Sequence, residues 1–287
     1  MITKLINTLA FPAPPRYASR FRSLKAHPGL VMLTTADGET IPAIYVQQPQ
    51  QQASKRLLIL YSHGNAEDLG LIPPFVEYMA ARLNADVLAY EYVGYSISSG
   101  QPSEAGLYAS AAAAYAWALS DPTAEGGGGG AVPHEIVPFG RSLGSAPACY
   151  LASTYPDVAG LLLQSPLLSG ANVFLGRLGF AATCLDVFRN EDFIMRVTCR
   201  VAITHGTDDG VVPCWNGKSL HRKCAQAHTP LWCEGHGHND MPEDAILDWA
   251  KGFLDLIRNT PTGGTRRARS SRERSSVPTS PRYVVGS

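Results

Sequence analysis

"VPFGRSLGSAPACYLAS" (Val137–Ser153) runs from a short apolar stretch through Gly-Arg-Ser-Leu-Gly into a helix-forming run. A tight strand-to-helix turn needs small residues two before and two after its central residue, so that the backbone can approach closely. Gly140 and Gly144 stand at those positions around Ser142. Such a turn lifts the serine hydroxyl above a sheet at the start of a helix. There the helix dipole and the Leu143 amide face any developing negative charge. The competing reading is a glycine-rich turn capped by a serine. Alone the pattern is weak, since average glycine and serine usage produces it by accident in roughly one chain of this length in five to ten. The rest of the chain decides between the two.

The segments on either side share one rhythm. Leu57–Tyr61, Val87–Tyr92, Ile136–Phe139, Gly160–Gln164, Arg200–Thr204 and Leu231–Cys233 are short apolar strands without alternation. Helical stretches separate most of them: Pro73–Leu83, Glu104–Leu119, a run from GRSLG to about Tyr155, Asn216–Ala227 and about Pro242–Leu256. Before them, "GLVMLTTADGETIPAIYVQQ" reads as a hairpin about Ala36-Asp37-Gly38, followed by a Gln-rich linker. Non-alternating strands interleaved with helices predict an α/β protein with a mainly parallel sheet covered on both faces. Ligands bind such sheets beyond the carboxyl ends of the strands. Four polar clusters fall at those ends: SHGNAEDLG, GRSLG, HGTDDGVV and EGHGHND.

A serine hydroxyl is a poor nucleophile at neutral pH and needs a base, which in turn needs an orienting acid. Both candidates lie downstream of Ser142, in the order serine, acid, histidine. The base is His238, in a Gly-His-Gly-His loop after the last strand, with His236 as its competitor. The acid comes from the loop after the fifth strand, where Asp209 is preferred to its neighbour Asp208 and one of the two caps the turn; spacing alone does not separate them. An oxyanion hole needs two donors. The Leu143 amide is one, and the Asn65 amide, after His63-Gly64, is the other. Glu67 and Asp68 read as first-turn acids of the next helix.

With 45% hydrophobic and 17% charged residues and no net charge, the 287-residue chain reads as an ordinary globular protein. Nothing in that balance points to nucleic acid as a partner. No apolar run approaches the ~18 residues of a membrane span. The six cysteines form no C-x-x-C pair and no metal-ligand spacing, so reduced thiols and a cytoplasmic location are expected. No metal or cofactor is implied. Three regions are expected: an amphipathic, basic segment 1–28, a catalytic domain 29–258, and a disordered Ser/Arg-rich basic tail 259–287. In the first, Ile2, Leu5, Ile6 and Leu9 share a helical face and basic residues follow. That fits a peripheral membrane contact, a mitochondrial targeting segment, or a short helix docked on the domain. Gly126–Gly130 forms a flexible loop. Between the fourth and fifth strands, 171–197 is longer than an ordinary crossover. A small helical cap there would offer Phe174, Leu178 and Phe180 as an apolar wall for an acyl tail; plain packing on the sheet is the alternative.

Six motifs in order resemble the α/β-hydrolase superfamily, and within it the serine hydrolases of the alpha/beta hydrolase domain-containing protein 17 type. They are "SHGNAEDLG" (62–70), "YEYVGYSISSGQPSE" (90–104), "GRSLGSAP" (140–147), "QSPLLSG" (164–170), "HGTDDGVV" (205–212) and "LWCEGHGHND" (231–240). The resemblance covers about residues 8–257. It implies an α/β-hydrolase fold and cleavage of acyl esters and thioesters, protein depalmitoylation above all, with Ser142, Asp209 and His238 as nucleophile, acid and base. The acid is the fifth residue of the family's H-G-T-x-D pattern, which selects Asp209, and the G-H-N-D ending selects His238. Two departures stand out. Membrane-targeted members begin with a cysteine cluster, whereas the first cysteine here is Cys149; Ser96 stands where members carry glycine. Small carboxyl esters or lysophospholipids are the alternative substrates. A non-catalytic binding protein on the same fold is the alternative class. Epoxide hydrolase or dehalogenase chemistry is disfavoured because it needs Asp in place of Ser142.

Overall fold

The computed structural model describes residues 18–48, 56–120, 134–170 and 187–260. Eight strands form one sheet: β1 (Leu30–Thr34), β2 (Thr40–Val46), β3 (Arg56–Ser62), β4 (Asp86–Tyr90), β5 (His134–Arg141), β6 (Gly160–Gln164), β7 (Arg200–Gly206) and β8 (Leu231–Cys233). Their spatial order is β1-β2-β4-β3-β5-β6-β7-β8. The β1–β2 hairpin joins antiparallel to β4, and every later pairing is parallel. The helices are α1 (Ala18–Lys25), α2 (Pro73–Leu83), α3 (Glu104–Ala118), α4 (Ser145–Thr154), α5 (Asn190–Ile194), α6 (Trp215–Lys223) and α7 (Glu243–Asn259). This is the α/β-hydrolase fold that the sequence motifs imply.

The sheet separates two apolar cores, and the strands show why their sequences do not alternate. Leu57, Ile59 and Tyr61 of β3 pack on one face with Val76, Met79 and Leu83 of α2 and Phe253, Leu254 and Ile257 of α7. Leu58 and Leu60 pack on the other with Leu107, Ala111 and Tyr115 of α3 and Cys149 and Leu151 of α4. Both faces are covered, so every β3 position from Leu57 to Ser62 is buried. The short helix α1 belongs to this body. Its Leu24 is fully buried in the α2–α7 layer, and Arg20 pairs with the buried Asp68 at 3.2 Å. Burying one such leucine stabilises by about 1.5–3 kcal/mol.

Two elements end short of the sequence expectation. The strand predicted over Val87–Tyr92 ends at Tyr90, because Glu91 turns its carboxylate into the loop beside it. The helix predicted over Asn216–Ala227 ends at Lys223. Beyond it Gln226 and His228 bond the edge of β7 through Val201, at 2.9 and 2.8 Å, and that pairing outcompetes further helix. The helix expected over residues 2–9, the Gln-rich linker beyond Gln48, the Gly126–Gly130 loop and the tail beyond Thr260 lie outside the described residues, as do Phe174, Leu178 and Phe180. No described helix is long and apolar enough to cross a membrane.

Strand order reverses at β3, which lies between β4 and β5, so the loops leaving β3 and β5 part company there. Crevices at such switch points are where open α/β sheets bind ligands.

Candidate active site

Ser142 follows directly on β5, and its backbone lies in the left-handed region at φ 53°. A non-glycine residue there costs about 1–2 kcal/mol, a strain that concentrates at functional turns. Both flanking glycines are required by close approach. A Cβ on Gly140 would lie 2.3 Å from the Gly144 carbonyl oxygen, and one on Gly144 2.0 Å from that of Ser62. The turn is thus pressed against the end of β3 and opens directly into α4. Ser145 reinforces it by donating from Oγ to the Ser142 carbonyl at 2.6 Å.

Above this turn three side chains form a line. The Ser142 hydroxyl lies 3.0 Å from His238 Nε2, and His238 Nδ1 donates to Asp209 Oδ2 at 2.6 Å. The Asp209 side chain is fully buried and that of His238 is 9% exposed. Hydrogen bonding therefore assigns the Nδ1–H tautomer, leaving the Nε2 lone pair toward the serine. Asp209 Oδ1 accepts from the Val211 and Val212 amides at 2.9 and 2.7 Å. Burial alone would raise its pKa, but hydrogen bonds from His205 and His238, with the Val212 amide, hold it well below the ordinary carboxylate range.

The neighbouring candidates are placed elsewhere. Asp208 accepts from its neighbour Thr207 Oγ1 at 3.2 Å, and its amide bonds the His236 carbonyl. The His236 ring lies against the Asp240 carbonyl, away from the serine. Ser142, His238 and Asp209 are brought together; Asp208 and His236 are not.

Leu143 begins the turn into α4 and is buried, with its amide at the N-terminal end of the helical run. The loop after β3 runs alongside. A Cβ on Gly64 would lie 3.9 Å from Ser142 Cβ, so the loop passes beside the serine at Gly64, one residue before Asn65. That loop is framed from below. His63 Nε2 meets Glu91 Oε1 at 2.8 Å and His63 Nδ1 donates to the Gly64 carbonyl at 2.9 Å, both side chains being fully buried. Tyr92 donates to the His63 carbonyl and Tyr95 to Asn65 Oδ1, each at 2.6 Å.

Glu67 and Asp68 are not first-turn acids, because α2 begins only at Pro73. Asp68 takes Arg20, whereas Glu67 accepts from the Gly64 amide and pairs with Arg141. His205 was not singled out in the sequence either. It is fully buried and directs Nε2 at the Val212 carbonyl (2.7 Å) and at Asp209 Oδ2 (3.2 Å), so the acid is held by two imidazoles. Its position four residues before Asp209 in "HGTDD" was the available signal.

Of the segment read as a cap, residues 171–186 lie outside the described residues, and the chain on either side of them approaches the nucleophile helix through Leu167 and Asn190. Gly170 donates to the Val187 carbonyl at 2.7 Å. Asn190 Nδ2 and the Leu167 amide both donate to Ser145 Oγ, the group that braces Ser142. A cavity of about 30 Å³ lies beside His238, between Phe139, Gln164, Met241 and Leu247. It has room for water.

No protein-family model matches the chain. Among curated proteins it is 40% identical over 206 residues to alpha/beta hydrolase domain-containing protein 17C of Homo sapiens, covering 70% of this chain and 59% of that protein. It is 37% identical over 203 residues to alpha/beta hydrolase domain-containing protein aho-3 of Caenorhabditis elegans, covering 69% and 57%. The aligned region spans between 57% and 62% of the length of such relatives. Among solved structures, Est1E from Butyrivibrio proteoclasticus with ferulic acid bound superposes with a TM-score of 0.62 at 17% identity, over 80% of this chain and all of that one. An esterase from Pyrococcus furiosus gives 0.62 at 15%, over 85% and 96%. At these identities the structures bear on the fold.

Proposed function

Since this chain belongs to the α/β-hydrolase superfamily, we propose that it is a serine hydrolase cleaving acyl thioesters or esters, with protein-bound palmitate as its preferred class of substrate. One observation carries this reading: a single imidazole, His238, stands between the Ser142 hydroxyl and the buried Asp209 carboxylate at 3.0 and 2.6 Å.

The chemistry follows from that line. Ser142 Oγ attacks the acyl carbonyl carbon while His238 Nε2 takes its proton, and Asp209 stabilises the imidazolium through Nδ1–H. The carbonyl oxygen, now an anion, is met by the Leu143 and Asn65 amides. One such donor is worth about 2.7–4 kcal/mol to the transition state. His238 returns the proton to the leaving sulfur or oxygen as the carbon–heteroatom bond breaks. Water repeats the cycle on the acyl-enzyme, releasing the free acid and Ser142.

Similarity to the domain-containing protein 17 relatives supports the lipidated-protein class. So does the apolar composition of 171–197, in which Phe174, Leu178 and Phe180 would meet an acyl tail. The part of the N-terminal segment ahead of α1, which carries Ile2, Leu5, Ile6 and Leu9, would give peripheral contact with the membrane on which such substrates reside.

Fluorophosphonate labelling of wild type and Ser142→Ala, beside hydrolysis of p-nitrophenyl esters of rising chain length, tests the reading. Labelling lost in the variant with a rate maximum at long chains is expected. A maximum at short chains would move the assignment to small-molecule esters, and an unlabelled wild type would leave a binding protein on a hydrolase fold.

A further inference from the structure

The nucleophile turn, the base loop and the oxyanion loop each carry, next to the functional residue, one member of a polar tie. Arg141 precedes Ser142, Asn239 follows His238, and Gly64 precedes Asn65. The Arg141 guanidinium pairs through Nη1 with Glu67 Oε1 and donates through Nη2 to Asn239 Oδ1 at 3.1 Å. Glu67 then accepts the Gly64 amide on its other oxygen, Oε2, at 2.8 Å. We propose that Arg141 and Glu67 are positioning residues that lock the nucleophile, the base loop and the oxyanion loop into one register. This rests on the catalytic reading of Ser142 and His238 given above.

The charge chemistry suits such a tie. A guanidinium is a planar fork that holds two acceptors in fixed directions, which the point charge of a lysine does not reproduce. A carboxylate has two oxygens, so Glu67 satisfies the cation and the loop amide together.

Exposure argues that the tie serves geometry more than stability. The Arg141 and Glu67 side chains are 22% and 21% exposed. Ion pairs open to water contribute about 0–1 kcal/mol. Misplacing reacting groups by an ångström, by contrast, costs about a hundredfold in rate.

Arg141→Gln, Arg141→Lys, Glu67→Gln and the double variant Arg141→Gln/Glu67→Gln, made in the full chain beside Ser142→Ala, test the tie by p-nitrophenyl ester kinetics and thermal melting. We expect kcat to fall about ten- to a hundredfold in each single variant, with KM and Tm nearly unchanged. Arg141→Lys should recover little, and the double variant should be no slower than the worse single one, because the residues act as a unit. Full kcat in Glu67→Gln, multiplying losses in the double variant, or activity lost only in step with Tm would each overturn the tie. Those results leave the catalytic reading intact while Ser142→Ala is inactive. If Ser142→Ala retains wild-type rate, that reading is what has failed.

Discussion

Two histidine–carboxylate pairs lie within the same site and do opposite work. His238–Asp209 and His63–Glu91 have nearly equal contacts, 2.6 and 2.8 Å. What separates them is the second ring nitrogen. In His238 it faces a hydroxyl that can give up a proton; in His63 it faces the Gly64 carbonyl, which can only accept. With acceptors at both nitrogens the His63 ring is held as a double donor and cannot serve as a base. Burial would depress its pKa, yet the Glu91 charge and hydrogen bond, the Gly64 carbonyl and the nearby Glu67 raise it. The same two side chains thus give a proton acceptor where one edge is open and a sealed strut where it is closed.

Removing the reacting groups is expected to have the largest effect. Ser142→Ala should lower kcat by about 10⁴-fold or more while the thermal midpoint holds, because the side chain is only partly buried and its packing is slight. Asp209→Asn should cost about 10⁴-fold, since an amide would favour the wrong imidazole tautomer. Asp208→Asn should stay within about twofold, as for an ordinary surface change. Equal losses at the two aspartates, read as kcat on one ester, would erase the distinction between a carboxylate that orients the base and one that merely borders the turn.

The juxtaposition of Ser142, His238 and Asp209 was largely legible in the sequence because its signals are local. Glycines two residues either side of Ser142, a histidine among glycines and an acid after a strand each stand within one short motif. The absence of alternation in the strands is equally legible, since Leu57–Tyr61 must be apolar throughout to be covered on both faces. The struts were not legible. Glu67 and Arg141 are 74 positions apart, and Arg141 and Asn239 are 98 apart. No local pattern links them until β3 and β5 are known to be neighbours. Glu67 looked like a helix-start acid because the loop before Pro73 is polar, and only the observed helix boundary removes that reading.

The sealed pair should reveal itself through stability. Taking one partner from a buried ion pair typically costs about 3–5 kcal/mol, so Glu91→Gln is expected to lower the urea midpoint markedly. The pH dependence has a definite sign. The His63 pKa is raised on folding, so its contribution is complete below the ordinary histidine value of about 6.5 and is lost as pH rises through the folded value. Asp209 behaves oppositely. Its pKa is depressed, so its contribution is present above about 3.9 and disappears as pH falls toward the folded value. Urea midpoints of the wild type should therefore decline on both sides, and Glu91→Gln should flatten the alkaline decline alone. A variant that keeps the wild-type alkaline slope would show that His63 is not the group responsible.

The smallest effect expected concerns the scaffold that packs on His63. The loop after β4 places the Tyr92 and Tyr95 rings 4.4 and 6.4 Å from the imidazole. Next to Tyr95, Ser96 adopts φ 48°, the same left-handed region as Ser142. At Ser142 the strain accompanies a hydroxyl aimed at His238. At Ser96 the hydroxyl is buried with no hydrogen-bond partner among the described residues. The conformation is one that suits glycine, the residue that the resemblance implies at this position. Glycine enters this region without steric cost, although it gives up more chain entropy on folding. Ser96→Gly should then stabilise by about 1 kcal/mol, raising Tm by about 2–4 °C for a domain of this size, with kcat unchanged. A fall in kcat at raised Tm would mean that the strained loop also sets the position of Asn65 through Tyr95, and the division between reacting line and passive frame would have to be redrawn at that tyrosine.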